Sequence, residues 1–334
     1  MRVTVFLEAN KMDNNAIVYA LSANKKMAID IVKQLGLKMG ESEVIHFADG
    51  ETIVENNTTV RGKNVYVIQS TCPPVTERLF ELLIFIDGLR RASAKEINVI
   101  IPYFGYARQD RKVRPREPIT ARLVADMLQN VGANHIIVTD LHTPQIQGFF
   151  TCPIDDLSAI PLFAEYFSSI VKKDDLVVVS PDHGGVTRAR KFAGYFNQAG
   201  IAIIDKRRPS ANVAEVMNII GDVKGKTAII IDDIVDTAQT LTLAAGELKK
   251  AGAIKVFAAI SHPILSNAAC RLIEESALEK VIVTDSIPLA QEKCTPKIVV
   301  LSIAPMIAHA IELIENQGSL GTVYSIFKRP QNDD

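Results

Sequence analysis

The chain lacks an excess of charge of either sign. Its 37 lysines and arginines nearly balance 38 aspartates and glutamates, leaving −1 with histidine neutral. A bulk field that weak recruits neither nucleic acid nor an anionic membrane, so any phosphate binding must come from local clusters. Paired cysteines are missing too: Cys72, Cys152, Cys270 and Cys294 are scattered, with no CxxC pair. That spacing excludes an ordinary thiolate metal site and points to free thiols in a reducing compartment. No apolar run approaches a membrane span; the longest are strand-sized. Met1 to Asn10 has no apolar core of secretory-signal length, so a cytoplasmic location is expected. There is no low-complexity linker and no short-period repeat. The absence of tryptophan decides nothing.

What is present is globular. The 334 residues exceed one ordinary core, so two domains are expected. Hydrophobic residues make up 48% and charged residues 22%, which excludes disorder. Residues 1–14 read as an extension running into the polar cluster Asn10–Asn15. Strand and helix patterns then alternate, with strands at 17–21, 64–69, 98–102 and 135–139 and helices at 25–35, 77–91 and 120–131. The order recurs with strands at 176–180, 202–204, 228–231, 255–260, 281–284 and 298–302 and helices at 187–194, 241–251 and 306–316. Repeated β-then-α predicts parallel sheets covered by helices. The expected class is α/β, with two doubly wound parallel-sheet domains at 15–160 and 161–334. The C-terminal segment is the piece able to pack back on the N-terminal domain.

The most informative stretch is Ile229-Ile230-Ile231-Asp232-Asp233-Ile234-Val235-Asp236-Thr237-Ala238-Gln239-Thr240. A buried strand runs into acids and threonines, and a helix follows at once. Ligands of open α/β sheets bind at the carboxyl ends of strands. The first amides of the helix, with two threonine hydroxyls, make an anion site. Carboxylates beside it repel phosphate unless they hold Mg²⁺ or the hydroxyls of a sugar phosphate. The plainer alternative is a solvated, helix-capping turn.

Five more segments sit at loops or strand ends. Arg108-Gln109-Asp110-Arg111-Lys112-Val113-Arg114-Pro115-Arg116 holds five basic residues in nine positions, suited to polyphosphate, with a solvated loop as the alternative. His142, in Asp140-Leu141-His142, follows a strand and is a candidate metal ligand. His135 is read as structural. In Asp182-His183-Gly184-Gly185, Asp182 is a candidate contact for a divalent ion or a ribose hydroxyl, while His183 is as good a spacer as a catalyst. In Asp205-Lys206-Arg207-Arg208, alternation along an extended loop puts Lys206 and Arg208 on one side, in reach of one transferring phosphoryl group. Phe47-Ala48-Asp49-Gly50-Glu51 is by itself only a turn signal.

Taken together, residues 16–327 resemble the ribose-phosphate pyrophosphokinases, also called phosphoribosyl pyrophosphate synthetases. The strings Tyr106–Lys112, Pro144–Phe150 and Asp182–Arg190 carry the resemblance in fixed order. The resemblance implies two domains of the phosphoribosyltransferase type. It also implies transfer of a pyrophosphoryl group from MgATP to the 1-hydroxyl of ribose 5-phosphate, with AMP leaving. On that analogy Lys206 and Arg208 are catalytic, and Phe47, Asp49, Glu51, Arg108, Gln109, Asp110 and His142 bind ATP, the first three across a subunit boundary. Asp232, Asp233, Asp236, Thr237, Ala238, Gln239 and Thr240 bind ribose 5-phosphate, and His142 and Asp182 contact Mg²⁺. A homo-oligomer of dimers building to hexamers is implied, with inorganic phosphate and ADP as effectors near Gln147, Asp155 and Thr322–Phe327. No nucleic-acid or membrane partner is expected.

Two departures stand out. The family normally has glycine where this chain has Gln239, which either crowds the phosphate or donates its amide to it. Tyr324-Ser325 reverses the usual Ser-Tyr order. A catalytically weak paralogue serving as a regulatory subunit is the main alternative. A transferase that consumes the pyrophosphate sugar is a third reading, against which the Arg108–Arg116 loop argues.

Overall fold

Runs of β-branched residues become parallel strands buried on both faces, as near-continuous apolar runs should. The structure is a computed structural model, and it describes residues 15–171, 175–207 and 216–328. The described chain divides into two units. One takes the residues through Ser158, with Ser286–Pro288 and Ser302–Ile326; the other takes Ala159–Asp285, Leu289–Leu301 and the residues from Phe327.

The first unit contains β1 (Ala16–Ala20), α1 (Lys25–Leu35), β2 (Ser42–His46), β3 (Thr52–Asn56), β4 (Asn64–Ile68) and α2 (Val75–Arg91). β5 (Glu96–Ile101), α3 (Thr120–Val131), β6 (His135–Thr139) and β7 (Ile154–Leu157) follow. Its five-stranded sheet has the order β1-β4-β5-β6-β7, parallel throughout. Alternation divides the side chains: Val65, Val67, Val99 and Val138 face Leu82, Leu89, Val124 and Leu128 of α2 and α3. β2 and β3 form a separate antiparallel hairpin.

The second unit contains α4 (Ile160–Ser168), β8 (Leu176–Ser180), α5 (Val186–Ala193), β9 (Gly200–Arg207), β10 (Val216–Ile220) and β11 (Thr227–Val235). α6 (Gln239–Lys250), β12 (Lys255–Pro263), α7 (Ala269–Glu275), β13 (Lys280–Thr284) and β14 (Ile298–Leu301) complete it. The chain then re-enters the first unit as α8 (Ala304–Glu315), packed on α1. The seven strands are ordered β10-β9-β8-β11-β12-β13-β14, parallel except for the β9–β10 pair. α4 and α5 cover one face through Phe163, Phe167 and Phe192, joined by Phe196 just beyond α5, against Val178, Ile229 and Ile231. α6 and α7 cover the other, packing Leu241, Leu248 and Ile273 on Val177, Val179 and Ile230. The expected α/β class stands, with helices on both faces of the second sheet. No helix among the described residues is long and apolar enough to cross a membrane.

Six elements carried too little sequence signal to be placed in advance: β2 and β3 of the hairpin, β7, α4, β10 and α7. β2 and β7 are short and half-polar (Ser-Glu-Val-Ile-His and Ile-Asp-Asp-Leu), so neither shows the apolar alternation of a half-buried strand. α4 is apolar nearly all round and opens with Pro161, so periodicity is weak there.

Candidate active site

The second sheet reverses its strand order at β8 and β11. From β8 the chain passes to β9 on one side; from β11 it passes to β12 on the other. The connections diverge, so a crevice opens outside the carboxyl ends of these two neighbours, where open α/β sheets bind ligands. The β11–β8 ladder stops at Ile230 opposite Val179, whereas the β11–β12 ladder continues to Val235 opposite Pro263. β11 was expected to end near Ile231. It runs four residues further because nine-residue β12 supplies a partner, so Asp232 and Asp233 sit on strand and not in a loop.

The two carboxylates share one guanidinium. Arg188 on α5 donates from Nη1 to Asp233 Oδ1 at 3.0 Å and to Asp232 Oδ1 at 3.4 Å. Asp233 is buried, and its N–H donates to Asp232 Oδ1 at 2.9 Å. Burial, followed by the neighbouring Asp233 charge, pushes the Asp232 carboxyl well above the usual range, against the pull of Arg188. An acid pair with one carboxyl held above its ordinary range favours a ligand that brings hydroxyl donors or positive charge. Arg188 had no assigned role in the sequence. Its signal was its place in Val186-Thr187-Arg188, on the first turn after the glycine pair.

After β11 the backbone turns through Ala238, which takes a left-handed conformation (φ +61°), and α6 begins at Gln239. Gln239 therefore lies on the first helical turn and not within the loop, with its side chain exposed. Thr237 and Thr240 are also exposed, and Asp236 accepts Ser266 N–H on its carbonyl at 3.0 Å. The first amides of a twelve-residue helix thus open beside the acid pair.

Asp182 follows β8; its Oδ1 accepts Gly185 N–H at 2.9 Å and closes the turn into α5. A Cβ on Gly185 would stand 2.8 Å from Ser180 Oγ, so a larger residue there would have to displace the serine hydroxyl, which donates to the Asp182 carbonyl. His183 Nε2 lies 3.1 Å from Asp205 Oδ1 and links the β8 loop to β9. Lys206 was expected in an extended loop. It lies instead in β9, whose ladder with β10 pairs Lys206 with Met217. Strand pairing with β10, which the sequence did not announce, accounts for the extra length. Arg208 lies outside the described residues.

In the first unit the candidates follow successive strands. The exposed basic loop leaves β5 and is folded back on itself by Glu117, whose Oε2 accepts the N–H groups of Val113 and Arg114, each at 2.9 Å. Gln109 Oε1 accepts the Thr120 hydroxyl at 2.6 Å, at the start of α3. Asp110 Oδ2 accepts the Thr143 hydroxyl at 2.7 Å, which joins the basic loop to the loop bearing His142. Thus the structure brings Arg108, Gln109 and Asp110 to the segment that carries His142. A Cβ on Gly105 would press into the Thr71 carbonyl, so the turn between β5 and the loop needs glycine. Phe47, Asp49 and Glu51 lie at the exposed turn of the β2–β3 hairpin, held by Phe47 N–H to the Glu51 carbonyl at 2.8 Å. Asp155 Oδ2 is 2.6 Å from His135 Nε2, in keeping with a structural His135.

Comparison with known proteins decides the family. Residues 16–132 match the N-terminal domain of ribose phosphate pyrophosphokinase, and residues 198–325 match the phosphoribosyl synthetase-associated domain. The ribose-phosphate pyrophosphokinase 1 of Listeria monocytogenes is 55% identical over 92% of this chain and 96% of its own length. That of Bacillus caldolyticus is 53% identical over 92% and 97%. The chain belongs to the ribose-phosphate pyrophosphokinase family. The crystal structure of phosphoribosylpyrophosphate synthetase from Mycobacterium smegmatis superposes with a TM-score of 0.87 at 41% identity, covering 91% of this chain and all of that one. Membership makes the chain a transferase of nucleotide biosynthesis. Within the family frame Gln239 is not a strained position: the left-handed residue is Ala238, and Gln239 is helical.

Proposed function

We propose that the chain transfers the β,γ-pyrophosphoryl group of ATP to the 1-hydroxyl of ribose 5-phosphate, giving AMP and 5-phosphoribosyl 1-pyrophosphate. The observation that carries this reading is the acid pair on the overhang of β11, opening onto the first turn of α6 at the strand-order reversal. Asp232 and Asp233 accept the ribose hydroxyls. The amides of Gln239 and Thr240, with the hydroxyls of Thr237 and Thr240, take the 5-phosphate, and Asp236 and Ala238 shape that turn. Arg108, Gln109 and Asp110 hold the nucleotide, with Phe47, Asp49 and Glu51 contributing across a subunit boundary. Lys206 and Arg208 neutralise charge that develops on the moving group, the main device available to such transfers.

Mg²⁺ is the proposed cofactor. Among the described residues no three His, Cys, Asp or Glu side chains form a metal cage. Mg²⁺ usually keeps several waters and takes one or two carboxylates with substrate phosphates, so an incomplete protein set fits an ion that arrives with the nucleotide. His142 and Asp182 are the proposed contacts for Mg²⁺. When bound, the ion neutralises phosphate charge.

A cytoplasmic homo-oligomer, with dimers building to a hexamer and phosphate and ADP as effectors, completes the proposal. Identity above 50% to named pyrophosphokinases over nearly their whole length speaks against the regulatory paralogue. The test is AMP release from ATP in Mg²⁺ and inorganic phosphate. AMP formed only with ribose 5-phosphate is the expected result; folded protein that binds ATP and releases none would overturn it.

A further inference from the structure

The C-terminal segment of the first unit is built onto the loop that carries His142. Glu315, at the end of α8, accepts the Tyr66 hydroxyl at 2.6 Å and Asn64 Nδ2 at 3.0 and 3.2 Å, which fastens α8 to β4. A short helical turn, Leu320–Ile326, follows. Its Val323 is buried, and the Val323 carbonyl is 3.0 Å from His309 Nδ1 on α8. These contacts fix Tyr324. The Tyr324 hydroxyl oxygen accepts the N–H of Ser158 at 2.9 Å, just past the end of β7. The Ser158 hydroxyl in turn donates to Asp140 Oδ1 at 3.0 Å. Two further bonds complete the tie: Asp140 N–H to the Leu157 carbonyl at 2.8 Å, and Leu141 N–H to Asp156 Oδ1 at 3.1 Å.

Asp140 needs such holding. Its φ of +42° is one that a residue with a side chain rarely adopts unless its surroundings impose it. Two residues on stands His142, and next to it Thr143, which grips Asp110 of the basic loop.

We propose that Tyr324 is a positioning residue for the nucleotide loop. Through Ser158 it sets Asp140, and through Asp140 the placement of His142 and Thr143. The reversed Tyr-Ser order matters here, because a serine at 324 is too short to reach Ser158 from the same backbone. The inference rests on the reading of His142 as part of the nucleotide site.

The test uses the full chain and compares Tyr324→Phe, Ser158→Ala, the double variant and His142→Ala. ATP affinity, the KM for each substrate, and Tm are measured. Loss of one neutral hydrogen bond should weaken ATP binding by about threefold to tenfold in Tyr324→Phe. The KM for ribose 5-phosphate should hold, Tm should fall by no more than one neutral hydrogen bond costs, and the double variant should lose no more ATP affinity than the worse single one, since both act through one chain of contacts. Additive losses, a fall in Tm with both KM values moving together, or unchanged ATP affinity would overturn the proposal. His142→Ala separates the two ideas. If it leaves ATP affinity intact, the nucleotide reading fails; if it weakens ATP while Tyr324→Phe does not, only the positioning role fails.

Discussion

The two units share a layered plan but assemble their candidate residues differently. In the second, the strand order reverses at β8 and β11, so neighbouring strands deliver Asp182, Asp232, Asp233 and the start of α6 to one crevice. The backbone ladder itself holds the acids. In the first, the order runs β1-β4-β5-β6-β7 without reversal. Its candidates sit on loops after β5 and β6, and side-chain bonds such as Asp110–Thr143 and Ser158–Asp140 tie those loops together. Topology builds one half; loop chemistry builds the other. The strand-built half should therefore register damage as lost stability, and the loop-built half as lost affinity.

The largest effect should come from Lys206→Ala. Removing a cation that acts on developing charge should lower kcat on the order of 10³-fold while both substrates still bind. Unchanged turnover would take Lys206 out of the mechanism. Next, Arg188→Ala removes the guanidinium that both acids share and should cost about 3 kcal/mol of unfolding free energy. Asp110→Ala breaks a loop tie and a proposed nucleotide contact; it should cost about 1 kcal/mol and appear mainly as a higher KM for ATP. Denaturant unfolding of the pair checks both, and equal losses would erase the distinction drawn here.

A subtler contrast lies in pH. Asp232 is held above its ordinary range, so the folded chain binds that proton more tightly than the unfolded chain. Stability should fall as pH rises from the usual carboxylate range to the raised folded value, then level off. Unfolding measured across that window should show the decline in the parent and lose it in Asp232→Asn. The smallest expected change is Gln239→Gly. The side chain sits at the entrance of α6, and removing it should lower the KM for ribose 5-phosphate about threefold, by allowing closer approach of the phosphate to backbone amides. A higher KM would make Gln239 a contact in its own right.

Much of the plan was legible before any coordinates. β1, β4, β5, β6 and β8 are short runs rich in apolar, β-branched residues, β11 and β12 open on longer apolar runs, and a strand buried on both faces can hardly be written otherwise. The helices with clear apolar stripes, α2 and α3 among them, followed the same logic. The candidate clusters were visible because charge gathered at a strand's carboxyl end stands where open α/β sheets bind ligands. What stayed hidden depends on partners far away in sequence. Ile234 and Val235 are strand because β12 runs alongside, and Lys206 is strand because β10 does.

The amino-acid order alone determined the alternating α/β class and the places along the chain where the candidate clusters fall, since both follow from local patterning and neighbours along the chain. Only the tertiary structure decided that Arg188 serves both acids, that His183 meets Asp205, and that Tyr324 reaches Ser158 across 166 positions. Hydrogen bonds act over about 3 Å, so which side chains share one is set by how sheets and loops close in space, and chain spacing carries no record of it.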